Sequence, residues 1–227
     1  MRSGARRQRG TLLLATVVGK ALGTIFFVVG LVRTRRRKAL HPRGGVRSGL
    51  VRRQGASTRT GVAWIDEPGR DQVWVRLSRA TGFPDLLPDI GGLALRVPGS
   101  ADRPGDLLLA TAGTGPVGRF LVRPTRRRGH AYSSVMPYRS PIGPLLLAAF
   151  PLDTGGTRFE LAWSGWRGRW SPFAVLEVPS GWDGAPDTSL TFDPVLNPLP
   201  GLPSYAWVAQ LRRFAYAGSR RSRGADL

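Results

Sequence analysis

The sequence predicts an α+β fold: a small antiparallel β-barrel with packed helices, closed by a carboxy-terminal helix. Three observations predict it. Short runs of period-2 alternation recur from residue 45 to residue 178, divided by Gly/Pro turns. A Pro/Gly-rich stretch, residues 179–203, follows as a surface connection. The last segment, Ser204 to Arg223, then spaces apolar and basic residues as a helix does. Strands first and a helix last suit a barrel with helices packed on it. At 227 residues with 41% hydrophobic content, a single domain with one core is expected.

Taken in order, residues 1–9 read as a solvated basic tail. Residues 11–32 are the one long apolar run. Its 22 residues reach the roughly 20 that a bilayer span needs. Lys20 at its middle would cost a span about 2.5–3.5 kcal/mol. Thr16, Lys20 and Thr24 recur every four residues and draw a narrow polar stripe, which suits an interfacial helix or one docked on protein. Arginines flank both ends, so charge sets no orientation, and no small-residue cleavage site follows. Residues 1–37 are therefore expected to form a basic and apolar helical region, with an anionic membrane surface as a candidate partner. Arg33 to Lys38 is a charge run, and most of it reads as a solvated linker.

The strand candidates are Gly45–Arg52, Gln72–Ser78, Leu93–Val97, Asp106–Thr111, Arg158–Trp163 and Trp170–Val178. Ser164–Arg169 reads as the turn of a hairpin. Leu145–Phe150 is apolar and too short for periodicity to decide between strand and helix. Of the 7 tryptophans, Trp163, Trp166 and Trp170 cluster, and a hairpin packing face explains them better than a base-stacking platform.

Composition removes several classes. There is no cysteine, hence no disulfide framework, zinc–thiolate site or thiolate haem ligand. That fits a reducing, cytoplasmic compartment. The net charge is +20, carried by 32 Arg against 2 Lys. Such a bias is in part a codon effect, so it does not indicate a specific nucleic-acid partner, although it favours polyanions and anionic membranes in general.

The closing segment carries the most chemistry. Arg212 lies four residues before Tyr216, on the same helix face. A free phenol has a pKa of about 10 and ligates metal poorly at neutral pH. A fixed positive neighbour favours the phenolate. The same segment also fits a plain basic amphipathic helix with a buried tyrosine. Arg212, Phe214, Tyr216 and Arg223 together resemble the proximal helix of haem catalases, in which tyrosine ligates the iron. Upstream, Leu40-His-Pro-Arg-Gly44 resembles the turn that carries the distal histidine. Val73-Trp-Val-Arg-Leu-Ser78 resembles the Val-Arg-Phe-Ser strand. Pro88-Asp-Ile-Gly-Gly-Leu-Ala-Leu-Arg96, Asp106-Leu-Leu and Phe192-Asp-Pro194 match further segments in the same order, as does Gln210. The resemblance covers most of residues 38–223 and is to a compact, divergent member of the catalase-like superfamily.

What the resemblance implies is a catalase-like haem domain over residues 38–227, binding haem b with Tyr216 as iron ligand on a proximal helix. His41 would be the acid/base group and Ser78 its support. Lys38, Arg76 and Arg223 would pair with propionates, and Arg212 and Phe214 would complete the proximal side. The implied activity is haem-dependent peroxidation, with peroxide or an organic or lipid hydroperoxide as substrate. Two other readings stand beside it: a haem-binding protein that is non-catalytic or sensory, and a basic membrane-peripheral module without cofactor. The chain departs from the family in three places. Gly91 and Gly218 replace an arginine and an aspartate. No asparagine follows Asp106-Leu-Leu where catalases place the one that positions peroxide; Asn197 is the only asparagine, and Thr111 or Thr114 are the only substitutes nearby. True catalase activity is therefore expected to be weak. His130, in an Arg-rich loop, is expected to be exposed and not a ligand.

Overall fold

The computed structural model describes residues 43–80, 87–99, 103–126, 130–180 and 190–210. All lie in one compact unit, His41–Arg212. The strands are β1 (Arg43–Arg53), β2 (Gly69–Arg79), β3 (Gly91–Val97), β4 (Gly105–Thr111), β5 (Tyr132–Ser133), β6 (Tyr138–Ser140), β7 (Gly143–Pro151), β8 (Arg158–Gly165) and β9 (Ser171–Glu177). Their order is β5-β4-β3-β2-β1-β9-β8-β7-β6, and β5 also pairs with β7. That pairing closes eight antiparallel strands into a barrel, with β6 laid on β7. Closure leaves those strands without open edges.

Each strand candidate read from alternation lies within a strand or overlaps one. The undecided run Leu145–Phe150 is strand, inside β7, and residues 166–170 turn between β8 and β9. In β2, Val73, Val75 and Leu77 face the interior while Trp74, Arg76 and Ser78 face out. The inward set joins Leu93, Leu95, Leu107, Leu109, Leu145, Leu147, Phe159 and Leu161 in one core. An eight-stranded barrel has an interior that such side chains just fill.

The β1–β2 connection folds over the end of the barrel it leaves. There α1 (Ala63–Asp66) buries Trp64 and Ile65. The Trp64 ring meets Phe173 edge-on at 5.3 Å, and its Nε1 donates to Asp71 at 3.1 Å. Arg53 Nε donates to the same carboxylate at 2.8 Å. Helical structure among the described residues is limited to α1, the 3-10 turn Gly118–Phe120 and residues 206–210. Those last residues begin the expected closing helix. Its remainder, with the 11–32 run and the boundary expected at residue 37, lies outside the described residues. Among the described residues no helix is long and apolar enough to cross a membrane.

Candidate functional site

The outer face of β1–β4 gathers the described part of the expected site. Gly44 stands opposite Ser78, Ser78 opposite Gly92, and Gly92 opposite Ala110. One step along, Val46 stands opposite Arg76, and Arg76 opposite Ala94. Arg76 and Ser78 therefore sit among glycine, alanine and valine, on a floor with little side-chain relief. Arg76 is 6% exposed although it points away from the barrel interior. Ser78 is half-buried, and its hydroxyl donates a long bond to the Gly92 carbonyl at 3.4 Å.

Gly44 is required by that packing. A Cβ there would stand 2.9 Å from both Arg76 Nη2 and Ser78 Cβ, and 2.7 Å from the Leu77 carbonyl oxygen. Side-chain atoms do not approach so closely without displacement. The missing Cβ is the room that the Arg76 guanidinium uses. Gly44, at the start of β1, thus meets the Arg76/Ser78 strand directly.

Three more of the matched segments meet in one network. Asp106, fully buried on β4, accepts from Arg96 Nε at Oδ1 and Arg96 Nη2 at Oδ2, both at 2.7 Å. Its Oδ2 also accepts from the Asp193 backbone N–H at 2.7 Å and from Asn197 Nδ2 at 2.9 Å. Arg96 lies over the Phe192 ring at 5.4 Å and donates to the Thr191 carbonyl at 2.7 Å. The Asp193 side chain accepts from the Val195 and Leu196 N–H groups, turning the chain back on itself. Phe192-Asp-Pro194 is thereby fixed on β3 and β4 by one carboxylate.

The structure places the residues expected to substitute for a distal asparagine. Thr111 is buried and faces the interior beside Tyr132, on the side opposite Arg76 and Ser78. Its hydroxyl accepts from Gly91 N–H at 3.0 Å and donates to the Arg123 carbonyl at 2.7 Å. The Thr114 carbonyl accepts from Trp170 Nε1 at 2.9 Å, placing that turn against β9. Asn197 serves Asp106. Gly91, where the family has an arginine, has no room for a larger side chain: a Cβ would stand 2.9 Å from Thr111 Cγ2.

Of the 4 tyrosines, Tyr132 and Tyr138 are buried in the core. Burial raises the Tyr205 phenol above its ordinary value, an effect that Arg139 only partly offsets. Tyr216, with Lys38, His41, Arg212, Phe214 and Arg223, lies outside the described residues. His130 is half-buried, not fully exposed as expected. Among the described residues no group of three His, Asp or Glu side chains could hold a metal.

Sequence reasoning passed over Arg119. It is 3% exposed, on the 3-10 turn, and donates to Ser164 Oγ at 2.7 Å. It lies over the Trp170 ring at 4.7 Å. Burial pushes its pKa down, yet an arginine stays charged in proteins. It ties the turn to β8 and β9, where Trp166 meets Phe120 and Trp170 meets Phe150. The tryptophan cluster is packing, as expected.

No protein-family model and no curated protein matches this chain.

Proposed function

We propose that the chain is a haem-dependent peroxidase with a catalase-like arrangement, acting on organic or lipid hydroperoxides in preference to hydrogen peroxide dismutation. The observation that carries this reading is the register that sets Gly44, three residues after His41, against Ser78 and makes room for buried Arg76. The glycine leaves the room that the buried Arg76 guanidinium occupies. By the resemblance, Arg76 faces a haem propionate, a contact in which charge and hydrogen bonding offset desolvation.

By the resemblance, Tyr216 is the iron ligand, with Arg212 favouring its phenolate form. Haem b, when bound, supplies the redox-active iron for O–O cleavage. The chain's own contribution is proton movement and placement. His41 takes the proton from one peroxide oxygen and returns it to the other, a step that a positioned base accelerates about 10²–10⁴-fold. Ser78 orients His41, and Arg76, Lys38 and Arg223 neutralise the propionates. By the resemblance, Phe214 completes the proximal side. The apolar run 11–32 suits a lipid hydroperoxide and contact with an anionic membrane.

The commitments of Thr111 and Asn197 favour one second reading, a haem-binding protein without turnover. One assay separates the two. Full-length protein reconstituted with hemin should oxidise a reporter dye with an organic hydroperoxide, and His41→Ala should lose most of that rate at unchanged haem content. Equal rates in the two proteins would leave haem binding alone.

A further inference from the structure

A second charged site lies at the opposite end of β1. Arg52 stands directly opposite Arg70 in the β1–β2 ladder. Like charges in that position repel and destabilise a sheet. On the next strands Arg158 stands opposite Glu177. Arg52 Nε and Nη2 reach one Glu177 oxygen at 3.2 and 3.1 Å, and Arg158 Nε reaches the other at 4.0 Å. Arg52, Arg70, Arg158 and Glu177 line an open cleft of about 430 Å³ with Gln54 and Val175. Arg53 also lines it, but Asp71 holds that guanidinium through two bonds. Glu160 lies on the same outer row beyond Val175 and does not line the cleft.

Arg52 and Arg158 share the Glu177 carboxylate and Arg70 stands beside Arg52, so the cleft lining carries these three guanidiniums against one carboxylate. Surface arginines gain by keeping apart, and this register sets two of them side by side. We propose that the cleft binds a phosphoryl dianion between Arg52, Arg70 and Arg158. Arginine forks match phosphate oxygens geometrically and carry the matching charge. The dianion offsets the excess charge and the repulsion together. Its source is a soluble phosphate ester or a lipid headgroup. From Gly44 to Arg52 is roughly 26 Å along the strand at its usual rise, so this site is separate from the haem reading.

The test uses the full chain at constant ionic strength with chloride as the other anion. Inorganic phosphate and pyrophosphate are titrated calorimetrically, and the thermal midpoint is followed. Saturable binding is expected, with a higher midpoint in phosphate. Arg70→Gln and Arg158→Gln should each weaken binding about tenfold, while Arg167→Gln, an exposed arginine outside the cleft, should not. Without phosphate, Arg70→Gln should raise the midpoint, because one of the repelling charges is gone. Vesicles of phosphatidylcholine with and without phosphatidic acid distinguish the sources. Arg70-dependent binding to phosphatidic acid alone identifies a headgroup, and binding of the free anions alone a soluble ester. Equal effects of Arg70→Gln and Arg167→Gln, or no saturable binding of any of these probes, would overturn the site. Haem absorbance should be the same in all three variants, so failure of either site reads separately.

Discussion

Gly44 faces Ser78 across the β1–β2 ladder, and a Cβ at Gly44 would stand 2.9 Å from the Ser78 Cβ and 2.7 Å from the Leu77 carbonyl oxygen. The second contact is with backbone, so no side-chain rotation relieves it. Gly44→Ala must push β1 away from β2. Overpacking of this kind costs typically about 1–3 kcal/mol. Chemical denaturation should show that loss, and reconstitution should show weaker haem uptake, since Arg76 Nη2 occupies the same space.

The Asp106 carboxylate joins two strands to the 191–197 segment. Asp106→Ala leaves Arg96 without its bidentate partner and exposes two further donors, those of Asp193 and Asn197. Breaking such a pair from one side costs about 3–5 kcal/mol. Asn197→Ala removes a single bond and should cost about 1 kcal/mol. The two should not add in the double variant, because they share one network. Urea midpoints of the four proteins check this.

Stability should fall in acid from a defined set of carboxyls. Burial raises Asp66, but hydrogen bonds from the Thr60 N–H and hydroxyl and the Gly61 N–H outweigh it and hold the group below 3.8. Asp153 behaves alike: burial raises it, and the Thr157 hydroxyl and N–H bring it below 3.8. A depressed folded pKa stabilises the fold above the unfolded value and loses that contribution as pH falls through the folded value. The contribution should therefore be constant from neutral pH to about pH 5 and fade below about pH 4. Asp66→Asn and Asp153→Asn should each flatten the acid limb. An unchanged slope would mean that these loops open before they titrate.

The barrel was legible in the sequence because its strands alternate. Val73, Val75 and Leu77 against Trp74, Arg76 and Ser78 already separates inside from outside. The strand that closes it was not legible: β5 is two residues, Tyr132 and Ser133, and carries no periodicity, yet it joins β4 to β7. Half of the described site could be read from residue order, as Arg76 and Ser78 were. The other half depends on cross-strand register. Nothing local says that Gly44 must meet Ser78, or that Arg52 must meet Arg70. Thr111 shows the limit most clearly. Its position after Asp106-Leu-Leu made it a candidate for peroxide positioning, and only its parity on β4 and its two hydrogen bonds turn it inward.

Hydrogen peroxide dismutation should be slow beside peroxidation. Thr111 and Asn197 have their hydrogen bonds committed elsewhere, so neither takes the place of the asparagine that positions peroxide in catalases. An oxygen electrode on reconstituted protein should record little oxygen evolution while an organic hydroperoxide is consumed. Turnover near the upper end of the range known for enzymes would contradict this.

The most direct measurement is the absorption spectrum of full-length protein incubated with hemin and passed through gel filtration, beside Tyr216→Phe treated alike. The predicted result is a retained Soret band in the parent protein that is lost or moved in Tyr216→Phe. No retained band in the parent, or the same band in both, would contradict haem held through Tyr216.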